Sequence, residues 1–227
     1  MKFIWLGHSA IYIEISNLKI IIDPWITNPL SPFKSTEDFV KEIKEIDYIF
    51  VTHDHGDHVG EAKELLEVYK NAKFVGIYEL ARKIGNHNTI GANIGGPIKL
   101  NNEVIAILTP AFHSSNIGNP TGIVLISKEG NIYHAGDTGV FNDMGLIKEL
   151  YNIDVALLPI GGHFTMGIKE AVKATQLIKP KYVIPIHYNT FDNIKADPNV
   201  FAEEVKKLGL LINVIILKPG VSYNLRL

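Results

Sequence analysis

His53-Asp54-His55-Gly56-Asp57-His58 follows the apolar run 48–52 and opens an amphipathic stretch, 58–70. Three imidazoles and two carboxylates within six residues are hard for a turn to hold without a cation. Neutral imidazole suits zinc, iron, nickel or manganese, and carboxylate adds charge balance. His53 and His55 are two apart, so in extended backbone they point the same way. Asp57 and His58 fall in the first helical turn and can face a neighbouring site. The plain alternative is a polar strand-to-helix turn capped by Asp54 or Asp57, but a cap needs one aspartate and no histidine.

Working outward, three more candidates stand at strand ends. His113 follows a strand ending near Thr109, Asp137 lies in Ala135-Gly136-Asp137-Thr138-Gly139, and His187 ends the run 183–186. The potential ligand set is then His53, His55, Asp57, His58, His113, Asp137 and His187. Seven are too many for one tetrahedral ion and suit two ions that share a carboxylate.

The rest of the chain alternates strand and helix. Phe3, Trp5, Ile11, Ile13 and Ile15 have a period of two, and Leu18 to Ile22 is a β-branched run ending at Asp23-Pro24. Helices are predicted over 35–45, with Ser35 as N-cap, over 58–70, 79–84, 143–150 and 168–178, and from Asp197-Pro198 to Gly209. Strands are predicted over 48–52, 73–76, 103–109, 122–127, 132–135, 155–159, 182–186, 212–217 and 222–225. Residues 86–97, rich in Asn and Gly, read as loop. The pattern predicts an α/β fold, two mixed sheets packed face to face with helices outside. It is read as one domain, 1–227, of two similar halves, roughly 1–110 and 121–227.

Composition removes several functions. The chain has 227 residues, no cysteine and a net charge of -2, and Arg82 and Arg226 are its only arginines. Disulfides, thiolate metal sites and cysteine nucleophiles are excluded. The charge gives no bias toward nucleic acid or an anionic membrane. No basic n-region or cleavage site precedes the first strand, and no apolar run is long enough to span a bilayer, so a cytoplasmic location is expected. Oligomeric state is open, a homo-oligomer included.

With these residues in view, the chain resembles the metallo-β-lactamase superfamily. The His-x-His-x-Asp-His motif stands intact at 53–58, and His113, Asp137 and His187 match the later ligand positions in order and strand context. Trp5-Leu6-Gly7-His8-Ser9, Gly161-Gly162-His163-Phe164-Thr165-Met166 and His187-Tyr188-Asn189-Thr190 resemble metal-dependent hydrolases related to ascorbate-6-phosphate lactonase. The resemblance implies a four-layer αββα sandwich. It implies one metal on His53, His55 and His113, a second on Asp57, His58 and His187, and Asp137 bridging. Two divalent ions are implied, zinc first, with manganese, iron or nickel as alternatives. A metal-bridging hydroxide would attack a small ester, lactone, amide or phosphodiester.

Further candidates carry less. His163, in a Gly-rich turn, is expected as a general acid or oxyanion partner, and Asp57 is counted with it as catalytic. Asp23 is expected to orient a ligand imidazole. His8 either lines the pocket or bonds its own turn. Tyr188 either reaches substrate or packs. His134 reads as a core histidine and His87 as exposed. Competing functions are nucleic-acid phosphodiester cleavage, disfavoured by charge, and iron redox chemistry, disfavoured by a histidine at position 55 and the lack of a flavin domain. The last alternative is a metal-binding protein without catalysis.

Overall fold

The structure, a computed structural model, describes residues 1–84 and 87–227. The opening meander forms where the period-two runs put it: β1 (Lys2–Gly7), β2 (Ala10–Ile15) and β3 (Leu18–Ile22). Next come α1 (Thr36–Glu42), β4 (Tyr48–Phe50), α2 (Gly56–Val59), α3 (Ala62–Val68), β5 (Lys73–Ile77), α4 (Tyr78–Ile84) and β6 (Thr89–Ala92). Then follow β7 (Pro97–Lys99), β8 (Val104–Pro110), β9 (Thr121–Ser127), β10 (Ile132–His134), α5 (Met144–Tyr151) and β11 (Val155–Pro159). The chain ends with α6 (Ile168–Ile178), β12 (Tyr182–Ile186), α7 (Pro198–Lys207), β13 (Asn213–Val214) and β14 (Ser222–Asn224). Ser35 caps α1 by accepting from the Asp38 amide, and Asp197 caps α7 ahead of its N-terminal proline.

Two seven-stranded sheets result, in the orders β14-β1-β2-β3-β4-β5-β6 and β13-β12-β11-β10-β9-β8-β7. Each has three antiparallel joins on one side and three parallel ones on the other. This is the α/β sandwich of the metallo-β-lactamase fold. Side-chain alternation builds both interfaces. Phe3, Trp5, Ile11 and Ile13 join Val104, Leu108, Val124 and Tyr133 in the core that spans the sheets. Their neighbours Ile4, Leu6 and Tyr12 face the other way, onto Phe39 of α1 and Leu65 of α3.

The strand directions decide where chemistry can sit. From the pairing, β1, β3 and β4 run one way in their sheet, as do β8, β10 and β12 in theirs. The segments leaving their carboxyl ends carry His8, Asp23, the 53–58 motif, His113, Asp137 and His187. Open α/β sheets bind ligands at such an edge.

Three expectations need correction. The helix expected over 58–70 is two helices, α2 and α3, broken at Gly60 and Glu61. Gly60 has φ +43°, and a Cβ there would lie 2.4 Å from the Pro24 carbonyl oxygen and 2.4 Å from Trp25 Cα. Glu61 then ties the break to the segment after β3. Its amide donates to the Pro24 carbonyl, and its carboxylate accepts from the Ile26 amide and the Thr27 hydroxyl. The stretch read as loop over 86–97 contains β6, a parallel edge strand whose Asn/Gly composition hides it; residue 86 lies outside the described residues. The strand expected over 212–217 shrinks to β13. β7 and β8 belong to the second sheet, and β14 returns to the first.

Gly60→Ala is expected to destabilise the protein by about 3 kcal/mol or more, because the Pro24–Trp25 backbone occupies the place of the missing Cβ. Denaturant unfolding measures this. A loss below about 1 kcal/mol would show that the break is not sterically fixed.

Candidate metal centre

The 53–58 segment leaves β4 through Val51 and Thr52, and Thr52 organises the histidines beyond it. Asp23 is fully buried and accepts at Oδ1 from the Thr52 amide (2.8 Å) and at Oδ2 from the Thr52 hydroxyl (2.8 Å) and His58 Nδ1 (2.7 Å). Since the Thr52 hydroxyl donates to Asp23, it accepts from His53 Nδ1 at 3.0 Å. Both Nδ1 atoms are therefore spoken for, and the Nε2 atoms of His53 and His58 are aimed into the site. The Thr52 carbonyl accepts from the amide and hydroxyl of Thr121, at the start of β9. That couples the first sheet's ligand loop to the second sheet.

The donor atoms fall into overlapping groups, each within 4.8 Å: His53, His55 and His113; His8, Asp57, His58 and His187; and His53, His58 and Asp137. Asp137 Oδ2 lies 3.3 Å from His58 Nε2, 3.5 Å from His113 Nε2 and 3.1 Å from His187 Nε2. One carboxylate oxygen thus reaches both of the first two groups.

Backbone conformation helps aim the side chains. His8, Asp23 and His187, each the first residue after its strand, all have φ near +50° (52°, 50° and 53°). This left-handed region is disfavoured for residues bearing a Cβ and is found where surrounding structure enforces it. Here the His187 amide donates to the His8 carbonyl at 2.9 Å, clamping the two turns together across the sheets.

His8 is fully buried, and burial pushes its pKa down to about 4 against the opposing pull of Asp57. It is neutral at pH 7, so Nε2–H donates to Asp57 Oδ2 at 3.1 Å and Nδ1 accepts from the Thr190 hydroxyl at 2.5 Å. Its ring lies 3.9 Å from that of His187, centroid to centroid. Burial, then His58, pushes His53 down to about 2, which keeps its ring neutral. Burial disfavours the His58 imidazolium, but Asp137 and Asp23 on either side outweigh it and hold its pKa well above the usual value. Burial also disfavours the Asp137 carboxylate, and His187 and His58 reverse that.

These residues fit a cation. His58 Nε2, Asp137 Oδ1 and both ring nitrogens of His187 are buried without a hydrogen-bond partner. Each such atom costs about 1–3 kcal/mol if left unpaired. His187 can turn one of its two nitrogens to an ion, and with His58 Nε2 and Asp137 Oδ1 it matches the donor set of a zinc, manganese, iron or nickel ion.

Several sequence expectations land elsewhere. His163 is exposed, with its ring edge-on to Phe164 at 4.4 Å, and Phe164 rather than His163 lines the cleft over the cluster. The general-acid role expected of His163 has no support in that placement. Tyr188 is buried and stacks on Trp5 at 5.2 Å, so it packs and does not form the pocket wall. His134 is a core histidine: Nε2–H donates to the Ser9 carbonyl and Nδ1 accepts from the Gly136 amide. His87 is exposed. Asp54 caps nothing; it accepts from the Ser115 hydroxyl and Asn116 amide and fixes the loop that carries His113. Thr52 carries no motif that sequence reading could have singled out, while Asp54 and Thr190 stand inside the quoted motifs with roles that only tertiary contact reveals. The expected effect of His163→Ala is unchanged metal content and hydrolysis within about twofold of the parent chain, since surface substitutions seldom propagate. A loss of about 100-fold with metal retained would restore His163 to the reaction.

The chain is similar to known proteins over most of its length. A family model described as a beta-lactamase superfamily domain matches residues 19–188. A UPF0173 metal-dependent hydrolase of Staphylothermus marinus is 54% identical over 228 residues, covering 97% of each chain. One of Caldivirga maquilingensis is 51% identical over 225 residues, covering 97% of this chain and 96% of the relative. Among solved structures, Igni18, described as a novel metallo hydrolase of Ignicoccus hospitalis, superposes with a TM-score of 0.92 at 44% identity over 99% of both chains.

Proposed function

The chain belongs to the beta-lactamase superfamily, among its UPF0173 metal-dependent hydrolases, and from that premise we propose that it works with two divalent metal ions on a small ester, lactone or phosphodiester. The observation that carries the two-metal reading is the position of Asp137 Oδ2, within 3.5 Å of imidazole nitrogens from both donor groups. His53, His55 and His113 would hold one ion, Asp57, His58 and His187 the other, and Asp137 both. Divalent ions there supply Lewis acidity and water acidic enough to ionise near neutral pH. Zinc is the first choice for such a donor set, with manganese, iron and nickel behind it.

The protein's own contribution is orientation. Asp23 and Thr52 fix the ring tautomers of His53 and His58. His8, backed by Thr190, fixes the Asp57 carboxylate and leaves its second oxygen for coordination. Burial opposes ionisation of Asp57, but the His8 hydrogen bond and His58 hold its pKa below the usual carboxylate value. The cleft above the cluster, about 620 Å³, has the size of a small-molecule site. Among the described residues lining it there is no lysine or arginine, which disfavours a nucleic-acid substrate.

The test is removal and return of metal. Nitrophenyl acetate, a γ-lactone and bis-nitrophenyl phosphate are offered to the chain before and after exhaustive chelation, then after zinc or manganese is restored. Hydrolysis of at least one substrate should vanish and return. Turnover unaffected by chelation would contradict the proposal.

A further inference from the structure

We infer that the cleft selects an uncharged ester or lactone whose acyl part carries an aryl or branched-alkyl group next to the scissile carbonyl. This rests on the hydrolytic reading above and names the substrate class for the same site. Two observations carry it. Phe164 and Phe191 line the cleft beside His55, Asp57, Asp137 and His187, and remain 51% and 38% exposed. The remaining wall supplies only neutral polar groups, Ser114 and Asn193, besides His113.

The Phe191 ring and the backbone turn that carries Phe164 are held in place. Phe164 rides on a turn with two consecutive left-handed residues, Gly162 (φ +71°) and His163 (φ +58°). That turn is closed by the Phe164 amide donating to the Gly162 carbonyl and the Gly162 amide to the Met166 carbonyl. The Met166 amide ties it to the Thr138 carbonyl, one residue from Asp137. Phe191 stacks on Trp25 at 5.7 Å and sets its edge against His8 at 5.6 Å. Two rings fixed beside a reaction centre offer apolar area at little conformational loss, and a substrate ring or branched chain would bury it. A second negative charge on the substrate, beyond the scissile group, would be desolvated against these rings with no lysine or arginine among the described lining residues to meet it.

The experiment uses the metal-loaded chain and three hydroxamates with one chelating head and different flanks: acetohydroxamate, phenylacetohydroxamate and the monohydroxamate of succinate. Calorimetry should show phenylacetohydroxamate binding about tenfold or more tighter than acetohydroxamate, with the succinyl compound no tighter than acetyl. In the Phe164→Ala, Phe191→Ala double variant, the phenylacetyl preference should fall below about threefold with metal content unchanged. Equal affinity for acetyl and phenylacetyl, tightest binding of the succinyl compound, or a preference that survives the double substitution overturns the proposal and leaves the hydrolytic reading standing. Failure of all three hydroxamates to bind a loaded chain overturns both.

Discussion

Asp137→Ala is expected to leave a folded chain that retains at most one metal ion and loses hydrolysis by about 10³-fold or more, about 4 kcal/mol of barrier. The reason is electrostatic. Two divalent ions held by the donor groups around this residue would repel one another, and the shared carboxylate would be the negative charge between them. It lies within 3.5 Å of His58, His113 and His187, so its loss weakens both groups together. The fold should survive, because the metal-free chain then contains one buried anion fewer, and His58 keeps Asp23 as its partner at 2.7 Å. Element analysis and circular dichroism of one preparation check the claim. Two ions and full turnover in the variant would contradict it.

Asp23→Asn tests orientation with almost no change in shape. The amide can still accept from the Thr52 backbone through its oxygen, but it places an NH2 group where Oδ2 accepted from His58 Nδ1 and the Thr52 hydroxyl. His58 must then present an unprotonated Nδ1 to that amide, which moves its proton to Nε2, the atom needed for coordination. Loss of such a partner typically weakens metal binding or activity about 10–100-fold. The expected result lies in that range for an ion at Asp57, His58 and His187, with an ion at His53, His55 and His113 bound more nearly as before. Competition with a chromophoric chelator resolves the two affinities. Parent-like affinity at both sites would mean that the imidazole tautomer is set by something other than Asp23.

Much of this centre was legible because metal ligands are chemically extravagant. A segment with three histidines and two aspartates has no structural use for all of them, and His113, Asp137 and His187 repeat the rhythm of a polar residue after an apolar strand. Asp23 was legible for the same reason. The fold class followed from periods of two and 3.6. What escaped was decided by tertiary contact. His8 stands just past β1, and only the sheet-to-sheet clamp between its carbonyl and His187 places its ring against Asp57. His163 occupies a strand-end turn like the ligands, yet consecutive left-handed residues swing it outward and bring Phe164 to the cleft. Gly60 is one small residue in an otherwise helical period, and the Pro24 backbone that forbids a Cβ there is distant in sequence. Thr52 looks like the last residue of a strand until Asp23 and Thr121 are seen to share it.

Metal stoichiometry decides whether one chain holds two ions across Asp137. Metal-free protein is loaded with excess zinc, passed through a desalting column to remove loose ion, and its zinc and protein contents are measured on the same sample. Two zinc ions per chain are expected, falling to at most one in Asp137→Ala. One zinc or less per parent chain would contradict it.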